Sequence, residues 1–293
     1  MEQQWESDAE HDGRPRSASG ATASGADAIT ERWTISEGQS RVIDLDAVTA
    51  LRVGIVAGSV DIVGHDEPTA RVEVHRVQGR DLTVTLEQGR LSISHPRVSW
   101  DDVWESVKAL VGVRARAELS IVVPRHVALS LGQVSASALV TGLRSRASMS
   151  TVSGAMQIES HEGDLDLNTV SGDVEVSGGA GRLSVHGVSA SVTASGRLES
   201  IGIDTVSGEV LLDVHGSPRS ISANTVSADV TLRLDAGQGV RATTRTVSGR
   251  GTVVGRSLPK RGGSETIDGA SAFGFSANTV SGDITVMRPS ARR

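Results

Sequence analysis

Hydrophobic and polar residues alternate in short blocks through most of the chain, with the period of two that is typical of β-strands with one buried face. In the stretch from Thr169 to His186 the apolar positions are Val170, Val174, Val176, Leu183 and Val185. The pattern predicts inward-facing strands separated by corners at the Gly-rich stretch 177–181 and near residues 168–169. The equivalent positions of the preceding and following stretches are also apolar: Val152, Met156, Ile158, Leu165 and Leu167, and Val188, Val192, Ala194, Ile201 and Ile203.

The triplet Val-Ser-(Gly/Ala) repeats along the second half of the chain. Its valines are Val134, Val152, Val170, Val188, Val206, Val226, Val247 and Val280. The first four intervals are equal, and the later ones lengthen to 20, 21 and 33. Equal intervals followed by lengthened ones are typical of stacked coils with loops inserted between them. The fold class predicted is all-β, with a parallel β-solenoid of about 18-residue coils over residues 126–288.

The part before the repeats, residues 29–125, is rich in predicted strands but not periodic. Within it, residues 100–111 place their apolar side chains on one helical stripe after Ser99, which suits an N-cap. We expect a short amphipathic helix, packed on the sheet or over the end of the stack, with a partner- or membrane-facing helix as the alternative. The composition of residues 1–28, rich in Ser, Gly, Ala and acidic residues, predicts a disordered acidic tail. Residues 289–293 are expected to form a short basic tail.

Composition excludes several classes of partner. The chain has no Cys, which rules out disulfides and thiolate metal sites. A net charge of −6 argues against a nucleic-acid partner. No signal peptide and no stretch approaching the ~18–20 apolar residues of a transmembrane segment is visible. The expected location is therefore the cytoplasm, with a position peripheral to the envelope as the alternative.

Four coils share an extended motif that resembles a known family. They read NTVSGDVEV (168–176), DTVSGEVLL (204–212), NTVSADVTL (224–232) and NTVSGDITV (278–286). Together with ELSIVVPRHVALSLGQVSA (118–136), these units resemble the bacterial domain-of-unknown-function family named "putative adhesin". The resemblance covers residues 40–288. It implies a β-solenoid and an association with the cell envelope, and no assigned chemistry.

Candidate catalytic and metal-ligating residues are sparse. The position after the Gly/Ala is acidic in four coils, at Asp173, Glu209, Asp229 and Asp283. Glu209 and Asp229 fall in adjacent coils, so a polysaccharide-active β-helix enzyme stays open as an alternative. The eight His residues lack metal-ligand spacing, and no Gly-rich loop suits a phosphate. We expect solvated surface acids, no catalytic residue, no cofactor, no metal site and no enzymatic activity.

The Thr and Ser residues that recur in the motif are the one candidate recognition surface. If the motif valines point inward, the neighbouring Thr and Ser side chains point outward and form an array for an extended ligand. The plain alternative is that the serines and small residues shape a corner and hydrogen-bond along the stack. The candidate array consists of Thr151, Ser153, Thr169, Ser171, Thr205, Ser207, Thr225, Ser227, Thr246, Ser248, Thr279 and Ser281.

The end of the stack raises the question of assembly. The last coil finishes near Arg288, so its strand edge has to be covered by the loop before Val280 or by a second molecule. The surplus residues Gly255–Gly269 are expected to loop out, while Phe273 and Phe275 return to the core. The function predicted is a non-enzymatic, adhesin-like scaffold that binds an envelope or protein partner, or self-associates through an end of the solenoid.

Overall fold

The computed structural model describes residues 30–95, 115–259, 262–269 and 272–288. Every regular element in these ranges is a β-strand, which confirms the all-β part of the predicted fold. The predicted helix at residues 100–111 and the predicted tails at 1–28 and 289–293 lie outside the described residues.

The strands vary in length because some of them continue around a corner of the coil. The first eleven are β1 (Thr30–Ile35), β2 (Arg41–Asp46), β3 (Ala50–His65), β4 (Thr69–Gln78), β5 (Leu82–Glu87), β6 (Arg90–Ser94), β7 (Arg116–Pro124), β8 (Ala128–Thr141), β9 (Ala147–Thr151), β10 (Met156–Glu159) and β11 (Leu165–Ser171). The others are β12 (Val174–Ser189), β13 (Val192–Ser207), β14 (Glu209–Val214), β15 (Ser220–Thr225), β16 (Asp229–Leu234), β17 (Gly239–Thr246), β18 (Gly251–Val253), β19 (Arg256–Leu258), β20 (Gly263–Ile267), β21 (Ala272–Thr279) and β22 (Ile284–Met287).

Successive coils stack through parallel, in-register strand pairs. Val174 lies opposite Met156 on one side and Val192 on the other, so the register matches the repeat interval in each direction. Parallel pairing closes a ring of five strands in the order β8, β9, β11, β12 and β10. The ring closes because β8 and β12 each turn a corner and so contribute to two sides of the coil.

The N-terminal strands continue the same stack. β3 pairs in parallel with β8 on one face, and with β6 and β7 on the other. β5 and β1 then add antiparallel on one side, and β4 and β2 on the other. One cluster of buried hydrophobic side chains runs through residues on both sides of position 125. β3 is therefore a further coil outside the repeat pattern, because it reads Val-Ala-Gly at Val56 where the later coils read Val-Ser-(Gly/Ala).

The last coil of the chain is not the last layer of the stack. β21 lies between β15 and β17, and β22 lies between β16 and β18, in parallel register on both faces. The coil formed by β17 and β18 is therefore the final layer, although β21 and β22 follow it in sequence. The expectation that the edge of the final repeat needs a cover is wrong, because that repeat lies inside the stack.

Two antiparallel strands cover the layer that does end the stack. β19 pairs with β18 and β20 pairs with β17, so most of the surplus segment lies on the stack as strands. The expectation that Gly255–Gly269 loops out is corrected accordingly, because the unpaired backbone groups of β17 and β18 need hydrogen-bond partners. Phe273 and Phe275 are buried at 4% and 1% exposure, which confirms their predicted return to the core.

The turn that separates the two sides of the coil lies later than predicted. Leu165, Leu167 and Thr169 all point inward, and the inward phase resumes at Val174. Val170, predicted to be buried, is therefore only half-buried, because it occupies the corner instead of the strand.

Candidate functional site

Five consecutive layers present a valine to solvent at the corner. The equivalent Val134, Val152 and Val170 are half-buried, and Val56 is buried. Exposure is 46% at Val188, Val206 and Val226, 48% at Val280 and 69% at Val247. We call the complete row the valine ridge; in stack order it consists of Val134, Val152, Val170, Val188, Val206, Val226, Val280 and Val247. Because neighbouring parallel strands lie about 4.8 Å apart, the ridge repeats a branched apolar side chain at that spacing.

The threonines of the predicted array are buried. Exposure ranges from 2% to 8% at Thr151, Thr169, Thr205, Thr225, Thr246 and Thr279. The prediction that they point outward is wrong, because each continues the inward alternation of the strand before it. Thr is β-branched like Val and packs equally well on the inner face of a strand.

Four of the six buried threonine hydroxyls form hydrogen bonds at the corner, whereas those of Thr151 and Thr169 have no hydrogen-bond partner among the described residues. The Thr225 hydroxyl donates to the Ala228 carbonyl at 3.1 Å. The backbone N–H of Gly249 donates to the Thr246 hydroxyl at 3.0 Å, and Gly282 makes the same 3.0 Å contact to Thr279. These bonds satisfy polar groups inside the coil and leave the threonines no role at the surface.

The serines of the array are engaged along the stack. Ser171 donates from its hydroxyl to the Val152 carbonyl at 3.3 Å, and from its backbone N–H to the same oxygen at 2.8 Å. The hydroxyls of Ser153, Ser207, Ser227, Ser248 and Ser281 also donate to the motif-valine carbonyl of a neighbouring layer, at 3.2–3.4 Å. The geometry matches the alternative in which serine shapes the corner, so the side chains left for recognition are the valines.

The acidic residues beside the corner also form hydrogen bonds with the neighbouring layers. Asp229 accepts the backbone N–H of Asp283 at 2.7 Å. Asp283 accepts the backbone N–H of Arg250 at 2.8 Å and its guanidinium at 3.0 Å. Glu209 lies opposite Asp229 in the register, as the sequence predicts. Across the described ranges, no three metal-ligating side chains form a group that could hold an ion.

Two histidines lie inside the stack. His161 is 2% exposed and His95 is fully buried. Burial lowers the pKa of His161 from its ordinary value. This effect outweighs the hydrogen bond to the backbone of Asp164 and the negative charge of Glu162, which both raise the pKa. Burial also lowers the pKa of His95. Both imidazoles are therefore neutral in the folded state near pH 7.

We expect the free energy of unfolding to fall as the pH drops below about 6.5. The unfolded chain binds protons at this pH, whereas the buried imidazoles, with lowered pKa values, do not. Each histidine then costs up to about 1.4 kcal/mol per pH unit. Urea unfolding between pH 7.5 and 5.0 measures this slope.

A matched pair of variants assigns the pH dependence. His161→Leu places in this layer the residue found one repeat earlier, Leu143, and should remove about half of the slope. His126→Gln changes an exposed histidine and should leave the slope as it is. An unchanged slope in His161→Leu would contradict this assignment.

The described part of the chain holds no helix of a length and hydrophobicity that would cross a membrane.

Similarity to known proteins is found only among solved structures. No protein-family model matches the chain, and no curated protein matches its sequence. A crystal structure named "putative lipid binding protein" from Parabacteroides distasonis is 12% identical, covers 86% of this chain and 98% of its own, and has a TM-score of 0.48. A "putative adhesin" from Parabacteroides merdae is 9% identical, with coverages of 86% and 96% and a TM-score of 0.43.

A third structure, a "putative cell adhesion protein" from Clostridium sporogenes, is 10% identical, with coverages of 85% and 99% and a TM-score of 0.29. Two of these three names match the family that the coil motif resembles. At scores below 0.5 and identities near 10%, the likeness assigns no function to this chain.

Proposed function

We propose that this chain is a non-enzymatic β-solenoid scaffold that binds a partner through the valine ridge. The exposed valines are the observation that carries this proposal. Exposed apolar side chains are unremarkable when scattered singly, but a contiguous row of them marks an interaction surface. Here the row runs through consecutive layers of the stack, and Val188, Val206, Val226, Val280 and Val247 are each 46–69% exposed.

The chemistry around the ridge favours an apolar contact over a polar one. The serine hydroxyls beside it already donate to backbone carbonyls, and the threonines face the core. A partner therefore gains by covering methyl groups, at about 25 cal/mol for each Å² of apolar surface removed from water. A protein or envelope component with a complementary apolar groove fits this surface, in keeping with an adhesin-like role peripheral to the envelope.

A triple substitution of the ridge tests the proposal. Val188→Thr, Val206→Thr and Val226→Thr keep the β-branched shape and replace one methyl group of each valine with a hydroxyl. We expect the folded protein to remain stable and to lose at least tenfold in affinity for any partner found. Thermal-shift screening against polysaccharides, divalent ions and lipid vesicles, together with pull-down from envelope extracts, identifies that partner.

The control variant changes an outward-facing strand surface instead. Thr193→Ala and Thr231→Ala lie in the same coils, away from the corner, and should bind like the unmodified chain. Equal binding by the ridge variant and this control would contradict the proposal. Release of reducing sugar from any polysaccharide in the screen would contradict the non-enzymatic part and favour the polysaccharide-active alternative.

A further inference from the structure

One layer of the stack is skipped by the chain and filled later. β16 ends at Leu234 and β17 begins at Gly239, yet these two coils are separated by the layer that contains β21 and β22. The connection of residues 235–238 therefore rises by two layers, or about 10 Å. Four residues can span about 13 Å, so the step is within reach.

The coil that fills this layer is paired on both faces. We call residues 272–288 the inserted coil, and the space between the coils on either side the slot. Phe273 and Phe275, the only phenylalanines of the chain, belong to the inserted coil and are buried. Without it, the strand edges lining the slot would lose their hydrogen-bond partners, and the core would lose its largest side chains.

Side-chain contacts in the slot match this coil to its neighbours. The Asn278 amide donates to Asn224 at 2.9 Å. The Asp283 carboxylate accepts from Arg250 in the layer above, while its backbone N–H donates to Asp229 in the layer below. The guanidinium of Arg288 donates to the Gln238 carbonyl, which lies in the connection that skips the layer.

If the coils stacked in the order of the sequence, some of these side-chain contacts would be lost. Arg245 would then face Asn224, and the amide bond between Asn224 and Asn278 would be lost. Amide ladders between identical residues in neighbouring layers favour like coils beside like coils. The coil that carries Arg245 and Arg250 therefore ends the stack, and the coils of Asn224 and Asn278 lie together.

The inserted coil is joined to the preceding coil by a long connection. Before β19 and β20 pair with β18 and β17, residues 254–271 reach about 60 Å when extended, far more than one layer requires. We propose that the slot also accepts the inserted coil of a second copy of this chain, so that two molecules exchange their C-terminal coils. Exchange of an identical element recreates the strand pairs and side-chain contacts of the slot, and Val280 of the second copy then takes the same place in the valine ridge.

The extent of exchange depends on protein concentration. Before β19 and β20 pair, a connection of this length holds its own coil at an effective concentration of the order of 1 mM. At 0.1 mM protein, refolding should therefore place about a tenth of the inserted coils in a second molecule. Because the coil is buried in the finished stack, exchange is expected during refolding and not on mixing folded protein.

Single cysteines placed in the full chain detect the exchange, because the natural sequence has none. Thr231 lies opposite Thr285 in the register, and Thr285 lies opposite Thr252 on its other side. Adjacent layers, about 4.8 Å apart, suit a disulfide, whereas Thr231 and Thr252 are two layers apart and too distant. Thr231→Cys and Thr285→Cys chains are refolded together at 0.1 mM, oxidised and run on a non-reducing gel.

We expect a disulfide-linked dimer of the two chains at about one-twentieth of the total, because about half of the exchanged pairs join unlike chains, and the yield should fall as the protein is diluted. Thr231→Cys refolded with Thr252→Cys is the matched control and should give background only. A dimer no more abundant than in this control overturns the proposal. If the threonine variants fold poorly, Ser222→Cys with Ser276→Cys repeats the test on the other side of the coil, with Thr243→Cys replacing Ser276→Cys as the control.

A double variant separates the coil order from the exchange. Thr231→Cys with Thr285→Cys in one chain should form an internal disulfide in monomers, because the two residues lie in adjacent layers. Its absence would contradict the stacking order itself, and with it the slot. Its presence without a dimer in the mixed refolding leaves the order intact and overturns only the exchange.

Discussion

Replacing Val174 with Asp is expected to unfold several coils together. Val174 is 1% exposed and stacks between Met156 and Val192. A carboxyl group there must either stay neutral or be ionised without a partner, at a cost of about 4–7 kcal/mol, and about 2 kcal/mol of apolar burial is lost as well. This sum approaches the whole stability of a typical domain.

The loss should spread because the stability of stacked repeats resides in the contacts between neighbours. A far-ultraviolet circular-dichroism melt should show a lower midpoint and a broader transition, or the protein should be recovered only as aggregate. The matched control is Val188→Asp, the same substitution at a valine that is 46% exposed. It should change the free energy of unfolding by less than about 1 kcal/mol. Equal losses at the two positions would contradict the inward and outward assignment of the valines.

Replacing Gly208 with Ala is expected to cost about 3 kcal/mol or more. Its φ of +129° is a conformation that side-chain-bearing residues avoid, and a Cβ atom there would lie 2.0 Å from the Ala190 carbonyl oxygen. The backbone of the neighbouring layer would have to move, which disturbs the parallel ladder at the corner. Urea unfolding followed by circular dichroism measures the change.

Gly202→Ala is the control for this effect. Gly202 lies in the same strand region, and a Cβ atom there would meet nothing within 4 Å. The substitution should be neutral or stabilise the protein by up to about 1 kcal/mol, because alanine restricts the unfolded chain. A loss at Gly202 as large as that at Gly208 would show that the corner geometry is not the cause.

The corner position of Gly208 also shows a limit of the repeat pattern. The layers on either side carry Ala190 and Ala228, both buried, whereas Gly208 has no room for a methyl group. In the sequence, Gly and Ala both occur at this position as if they were equivalent. Only the stacked backbone distinguishes them, because the available space depends on the carbonyl orientation of the neighbouring layer.

The sequence by itself determined the strands and most of the core. Burial of every second residue is a local property, so the alternating pattern alone assigns Val174, Val176, Leu183 and Val185 to the interior, where they lie. The constant repeat interval determined the register in the same way, because equal intervals align equivalent apolar positions in neighbouring layers.

The tertiary structure alone decided the orientation of the motif and the order of the layers. Thr169 and Val170 are both β-branched, so their sequence fits either orientation, and the position of the corner selects the inward residue. Parallel layers offer nearly the same backbone ladder to any coil, so local pattern cannot tell which coil is the neighbour. Contacts between residues distant in sequence, such as Asn224 with Asn278 and Asp283 with Arg250, placed the last coil inside the stack and left β17 and β18 at its end.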